Sequence, residues 1–330
     1  MHMLKYLSVV GLLLFAFILA TIDLGETVAI IAGADLRFIL LAILLVLVET
    51  VIRGLNWKVF ASIYAHGYRL ADALQTYMIG IAFGSSTPGR AGDLVKVTDL
   101  RDKTGMTSLK ALAVGVLDRI INFIVLFVSA GVCTALVAFM FTGGEVGVVT
   151  LLAPILATVA ALAVALNESL STLILRPLQN FLIPERFRDN TKQLFKAFHE
   201  VVSGFKGSGD KWTVMALTLL GWLTIFARPY FFGRAVGVDA ELWVYILFIP
   251  IISIAEVLPL SVMGVGTRDA TILFLFTQMG IEREPLVAMS AMILLLSTTP
   301  QVIAGYLIAW NRKVRVHDEG TVGESPVDKR

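Results

Sequence analysis

Apolar residues gather into long runs near 4–22, 36–55, 108–141, 148–166, 212–236 and 286–310, separated by shorter polar stretches. As helices, each of these runs is long enough to cross roughly 30 Å of hydrocarbon. Two further regions, 71–98 and 241–277, are apolar but interrupted. The first breaks at Gly84-Ser85-Ser86-Thr87-Pro88-Gly89-Arg90-Ala91-Gly92-Asp93, and the second at Pro259-Leu260-Ser261-Val262-Met263-Gly264-Val265-Gly266-Thr267-Arg268-Asp269. Backbone without hydrogen-bond partners is tolerated at membrane depth only where it is buried in protein or lines a cavity. The pattern therefore predicts an all-α polytopic membrane protein, with about six spanning helices and two broken, re-entrant elements beside a polar site.

Composition agrees. Of 330 residues, 57% are hydrophobic and 16% charged, and the mean hydropathy is +0.82, well above soluble domains. No polar block large enough to fold separately interrupts the apolar runs, so residues 1–315 form one membrane domain and 316–330 a polar, mobile tail. The amino-terminal run carries little positive charge and no small-residue cleavage site before Asp23, which predicts an uncleaved first helix.

Lys and Arg concentrate around Arg53, Lys58 and Arg69, around Lys96, Arg101, Lys103 and Lys110, from Arg176 to Lys211, and at Arg312-Lys313-Val314-Arg315. These segments belong on the cytoplasmic side. The connections bearing Asp23, Glu26 and Asp35, then Glu145, then Asp239 and Glu241 are poor in basic residues and belong outside. With both termini cytoplasmic, the count closes if 71–98 enters and leaves from the cytoplasm and 241–277 from the exterior. The order helix, hairpin, helix over about 36–141 then recurs upside down over about 212–310, an inverted repeat with its site where the broken elements meet. In the basic connection 167–211, Phe187, Leu194, Phe198, Val201 and Phe205 recur at helical intervals beside Arg188, Lys192 and Lys196. That spacing predicts an amphipathic helix lying on lipid.

The candidate chemistry is that of anion binding. A helix resuming after Pro88 and Gly89 directs its positive end at the break. Ser85, Ser86 and Thr87 add hydroxyls, Arg90 offers a planar fork suited to phosphate or carboxylate, and Gly92 allows close approach. Asp93 either shares that site or pairs with Arg90 as a self-contained cap. In the second break, Gly264 and Gly266 permit unusual backbone, and Thr267 can cap the helix carrying Arg268 and Asp269. An Arg at the centre of a spanning helix costs about 2.5–3.5 kcal/mol on insertion scales, so both arginines need compensation by pairing, water or ligand. Asp118 and Arg119 interrupt 108–141 and point about 100° apart on a helix. Gly115, Asp118, Asn122 and Ser129 share one stripe that can meet the first break. Glu256, with Ser253, can pair with an intramembrane Arg or respond to protons. Glu49 and Arg53, four apart, read as a structural pair within one helix, and Ser297-Thr298-Thr299-Pro300-Gln301 as a polar kink. The single cysteine, Cys133, rules out an intrachain disulfide. The scattered histidines lack ligand spacing, so no metal or cofactor is expected.

Thr87-Pro88-Gly89-Arg90-Ala91-Gly92-Asp93, the intramembrane Asp118-Arg119 and Gly264-Val265-Gly266-Thr267-Arg268-Asp269, in that order, resemble the transmembrane region of lysylphosphatidylglycerol synthases and related flippase-like membrane proteins. The resemblance spans nearly the whole chain. Members often have Glu where this chain has Asp93 and Asp269. It implies movement of an anionic or aminoacylated phospholipid, or of a polyprenyl-phosphate-linked sugar, between leaflets. It does not imply aminoacyl transfer, because the soluble synthase domain is absent. The expectation is a lipid flippase without enzyme activity, with Arg90 and Arg268 engaging a lipid phosphate while Asp93, Asp118, Arg119, Glu256 and Asp269 balance charge or respond to protons. Membrane lipids are the expected partners, nucleic acid is not, and oligomers are possible. Two other readings fit the same residues: an ion-coupled carrier of a small soluble anion, and a noncatalytic membrane partner of a lipid-modifying enzyme or glycosyltransferase.

Overall fold

The computed structural model describes residues 2–65, 67–142 and 188–312. Among them every regular element is helical. The first half comprises α1 (His2–Ala20), α2 (Leu24–Ala32), α3 (Leu36–Ser62), α4 (Leu70–Ser85), a tight 3₁₀ segment (Pro88–Val95), α5 (Lys96–Thr104) and α6 (Ser108–Thr142). There follow α7 (Arg188–Gly207), α8 (Lys211–Ala235), α9 (Leu242–Val257), α10 (Thr267–Thr277), α11 (Arg283–Met292), a π-helical segment (Ile293–Thr298) and α12 (Thr299–Arg312).

Among the described residues, four stretches are long and apolar enough to cross a membrane: α3, α6 from Ser108 to Met140, α8, and the continuous run Arg283–Asn311 that joins α11 to α12. This is a multi-pass membrane protein. On α3, Leu40, Leu44, Leu47 and Val51 fall on one stripe, each more than half exposed, as a lipid-facing surface requires. The predicted span 148–166, the first part of the basic connection and the polar tail lie outside the described residues.

Several expectations need correction. The connection after residue 22 is largely helical rather than an open loop: it contains α2, which meets the first helix at 91°. Asp23 starts it by accepting the Glu26 amide at 3.0 Å, an N-cap that satisfies one of the helix's free donors. Asp35 does the same for α3, accepting from the Arg37 amide at 2.8 Å. The expected amphipathic helix is present as α7, yet part of its apolar side faces protein. Val201 and Val202 are buried with Trp57, Phe60, Val114 and Val214, and the Tyr64 hydroxyl donates to the Val201 carbonyl at 2.8 Å. Apolar spacing shows that a helix has a greasy face; it does not say whether lipid or protein covers it.

At the polar kink, the backbone widens into the π segment immediately before Pro300. Proline there removes an amide donor and crowds the carbonyl four residues back, which a wider turn relieves.

The helices pack in a reciprocal order. α3 lies against α8, α4 against α12, and α9 against α6. Two apolar clusters form at different levels of this bundle. One gathers Trp57, Phe60, Leu100, Val114 and Leu117; the other gathers Leu126, Phe226, Phe232, Tyr245, Phe248 and Phe276. Between them on α3 and α6 lies a polar layer. Glu49 is the middle residue of α3, and Arg53, Asp118 and Asn122 sit at a similar level.

Candidate functional site

The polar layer encloses a cavity of about 200 Å³, walled by α3, α4, α6, α8, α9, both breaks and the π segment. Among the described residues, five cationic side chains line it: Arg53, Arg90, Lys96, Arg119 and Arg228. Four carboxylates face them: Glu49, Asp93, Asp118 and Glu256.

The first break places its residues through a left-handed turn. Gly89 and Arg90 adopt φ 64° and 54°, and for a side chain such as arginine this conformation costs about 1–3 kcal/mol unless the surroundings hold it. Arg119 holds it, donating to the Gly89 carbonyl at 2.5 Å and the Arg90 carbonyl at 2.9 Å. Thr87 adds to the turn: its hydroxyl accepts the Gly92 amide at 2.7 Å and donates to the Phe83 carbonyl at 2.9 Å. Gly92 has no substitute here, because a Cβ would press into the Phe83 carbonyl. The result leaves the Arg90 side chain exposed at the cavity.

Asp93 does not pair with Arg90. Its partner is Lys96 at 3.1 Å, and Lys96 also donates to Asp118 at 2.6 Å while its ammonium lies 4.6 Å from the Trp57 ring centroid. Lys96 is only 5% exposed. Its basic neighbours in sequence group it with cytoplasmic charges; the break instead carries the start of α5 inward, where the Asp93 spacing of three and the Asp118 stripe converge on it. Those two carboxylates are the signal in the sequence that points to this burial. Asn122, one turn beyond Asp118, accepts from Arg53 Nη1 at 2.7 Å. The expected Glu49–Arg53 pair is absent: Glu49 accepts from Arg228 of α8 at 2.5 Å.

Three guanidinium groups in the cavity therefore make no close ion pair among the described residues, although the Asp93 charge reaches both Arg90 and Arg119. Lys96 and Arg228 are paired, and Glu256 is turned to Arg268 at 3.6 Å. Among those residues the Arg53 guanidinium bonds Asn122 and stacks on Trp222, Arg119 bonds backbone carbonyls and lies over the Phe123 ring, and the Arg90 side chain makes no hydrogen bond or ion pair. The Nε and Nη2 of Arg53, Nε of Arg228 and the indole nitrogen of Trp222 are buried donors without acceptors. A buried donor left unsatisfied costs about 1–3 kcal/mol, more when charged.

The second break is built differently. Met263 and Gly264 repeat the left-handed pair, with φ 55° and 75°, and the Met263 amide donates to the Ser85 carbonyl at 3.1 Å, so the two breaks touch. Arg268, however, is 4% exposed and does not line the cavity. It donates to Asp269 and to the Ser290 hydroxyl at 3.2 and 3.1 Å. Asp269 in turn caps α10 by accepting the Gly266 amide at 2.8 Å and also accepts from Ser290. Thr267 bonds Ser261 at 2.6 Å.

Of the predicted site residues, Ser85, Thr87, Arg90 and Asp93 meet Asp118, Arg119, Glu256 and Gly264 at the cavity. Gly89 and Gly92 shape its turn, and Ser86 spends its hydroxyl on the Ala82 carbonyl at 2.8 Å. Gly266, Thr267, Arg268 and Asp269 form a separate buried cluster.

The family model for the lysylphosphatidylglycerol synthase transmembrane region matches residues 5–305. The chain belongs to that family. The UPF0104 membrane protein PH1989 of Pyrococcus horikoshii is 25% identical over 334 residues, covering 94% of this chain and 98% of that protein. No solved structure matches the chain. The match embraces both breaks and the whole cavity lining.

Proposed function

We propose that this chain is a lipid transporter of the cell membrane, moving a phosphate-bearing anionic lipid between leaflets, with both termini cytoplasmic. One observation carries the reading: three guanidinium groups that make no close ion pair among the described residues line one cavity near the middle of the long helices. Charge without a partner at that depth is expensive, and an anionic headgroup is the compensation that also supplies a function. The lipid's acyl chains stay in the bilayer, so only the headgroup needs a polar path. Arg90 is the principal ligand, Arg119 holds its turn, and Lys96 with Asp93 and Asp118 forms a wall of net charge −1 beside it, which offsets part of the arginine charge. Arg268 and Asp269 hold the second break against which the first one rests.

The reciprocal packing supports an inverted repeat. First helix meets first helix, as α3 and α8 do, and the incoming leg of each broken element meets the last helix of the other half, as α4 with α12 and α9 with α6. A two-fold axis in the membrane plane produces that set of neighbours, and rocking of the halves about it would expose the cavity to each side in turn. The basic segments favour a 71–98 break that opens to the cytoplasmic side. In this reading the ligand is moved without covalent change, and no catalytic residue is assigned.

Reconstitution tests it. Liposomes containing the full chain and fluorescently labelled phosphatidylglycerol are expected to expose label to an external quencher faster than empty liposomes, and Arg90→Ala is expected to abolish the gain. Equal rates with and without protein, or full activity of Arg90→Ala, would sink the assignment.

A further inference from the structure

The cavity has two ends of different character. At the break, Arg90 stands free on its left-handed turn. Deeper, between α3 and α8, the side chains of Arg53, Trp222 and Arg228 converge, and all three carry buried nitrogen donors without an acceptor. The Arg53 guanidinium carbon lies 4.9 Å from the Trp222 ring centroid, so it is stacked as well as hydrogen-bonded through Nη1 to Asn122. Gly221 makes the room: a Cβ there would stand 3.1 Å from Arg53 Nε. Glu49 neutralises Arg228 but takes up only its Nη1.

Among the fully buried atoms, unpartnered donors thus outnumber acceptors at the deep end, where Asn56 Oδ1 is the one such acceptor on these cavity-lining side chains. A ligand that completes the set must bring oxygen acceptors and negative charge. A phosphodiester held at Arg90 brings a single charge and uses it there. A headgroup with two linked acidic groups brings one for each end.

We propose that the deep end is a second anion subsite, in which Arg53, Trp222 and Arg228 receive the outer acidic group of a diphosphate-type headgroup whose inner phosphate is held at Arg90. This rests on the transport reading above and narrows its ligand to a lipid carrying two linked acidic groups. Gly221 and Asn122 act as positioning residues for Arg53.

The test uses the full chain in nanodiscs of phosphatidylcholine, titrated with farnesyl diphosphate, farnesyl monophosphate, inorganic pyrophosphate and inorganic phosphate, and followed by tryptophan fluorescence. Each charge-assisted hydrogen bond made at the deep end strengthens binding about tenfold, so farnesyl diphosphate should outbind the monophosphate by that factor or more. Arg53→Gln and, independently, Gly221→Ala should reduce this ratio to near unity, with Arg53→Lys between them and the parent. A ratio near unity in the parent protein, or a ratio unmoved by both substitutions, would overturn the subsite. If the monophosphate binds through Arg90 but no diphosphate preference exists, the transport reading stands and this inference falls. If neither farnesyl compound binds while the reconstituted chain still moves labelled phosphatidylglycerol, this inference falls and the transport reading stands; if that exchange is absent as well, both fall. Equal affinity for pyrophosphate and farnesyl diphosphate would keep the subsite and overturn its lipid source.

Discussion

The two breaks use nearly the same parts and spend them differently. Each has a left-handed residue pair, a glycine that admits close backbone, an Arg and an Asp. In the first, the Arg stands inside the left-handed turn itself, and the Asp three residues on is claimed by Lys96. In the second, Arg and Asp are adjacent in the first turn of α10, where Asp269 caps the helix and Arg268 closes onto it and Ser290. A shift of a few residues in register separates a cation offered to a cavity from one locked in the interior. Residue types alone do not distinguish them; the spacing does, with Arg and Asp three apart in the first break and adjacent in the second.

That contrast can be broken by stability measurements on detergent-solubilised protein. The largest effect is expected from Asp269→Ala, which removes the cap of α10 and leaves Arg268 buried without its nearest carboxylate. Loss of one partner from a buried pair costs about 3–5 kcal/mol, so the thermal midpoint should fall steeply. Next comes Gly92→Ala: crowding against the Phe83 carbonyl forces a backbone shift worth about 1–3 kcal/mol, and a midpoint equal to the parent's would show that the turn is not as tight as described. Ser290→Ala, which deletes a hydrogen-bond partner of both Arg268 and Asp269, should cost about 1.5–3 kcal/mol, and it sharpens the comparison because no equivalent serine supports Arg90. The smallest shift belongs to Arg90→Gln. With no partner to lose, its midpoint should stay within about 0.5 kcal/mol of the parent while lipid exchange is lost. Should Arg90→Gln destabilise as much as Arg268→Gln, the two arginines are alike and the distinction between breaks disappears.

The apolar runs and both interruptions are legible from residue order alone, since length and helix breakers follow from local chemistry. So is the Asp118 stripe, which a helical period of 3.6 places on one face. The partners are not. Glu49 finds Arg228 across 179 residues of sequence, and nothing in the spacing of α3 favours that choice over Arg53 four residues away. Lys96 shows the same limit. It sits in a basic stretch that averages to a cytoplasmic segment, yet the left-handed turn at Gly89 and Arg90 redirects the chain and buries it between two acids. Charge averaging reads a neighbourhood, whereas a single reversal of backbone hand decides the fate of one side chain. The bend at Asp23 escapes for a similar reason: a polar residue between apolar runs signals a cap as readily as an exit from the membrane.

The packing of α1 on the second break bears on how the protein is made. The Gly11 amide donates to the Leu260 carbonyl at 3.1 Å, and the Gly11 backbone packs so closely on Gly266 that no side chain fits there. A helix synthesised roughly 250 residues earlier thus completes this segment. Until the ribosome has delivered that segment, the amino-terminal helix has no seat in the bundle, and until it arrives the Leu260 carbonyl lacks this donor. Closing such a long loop comes late in folding, because its entropy must be met before its contacts return anything. Biogenesis of the site is therefore a property of the whole chain, and neither half alone can assemble a finished second break.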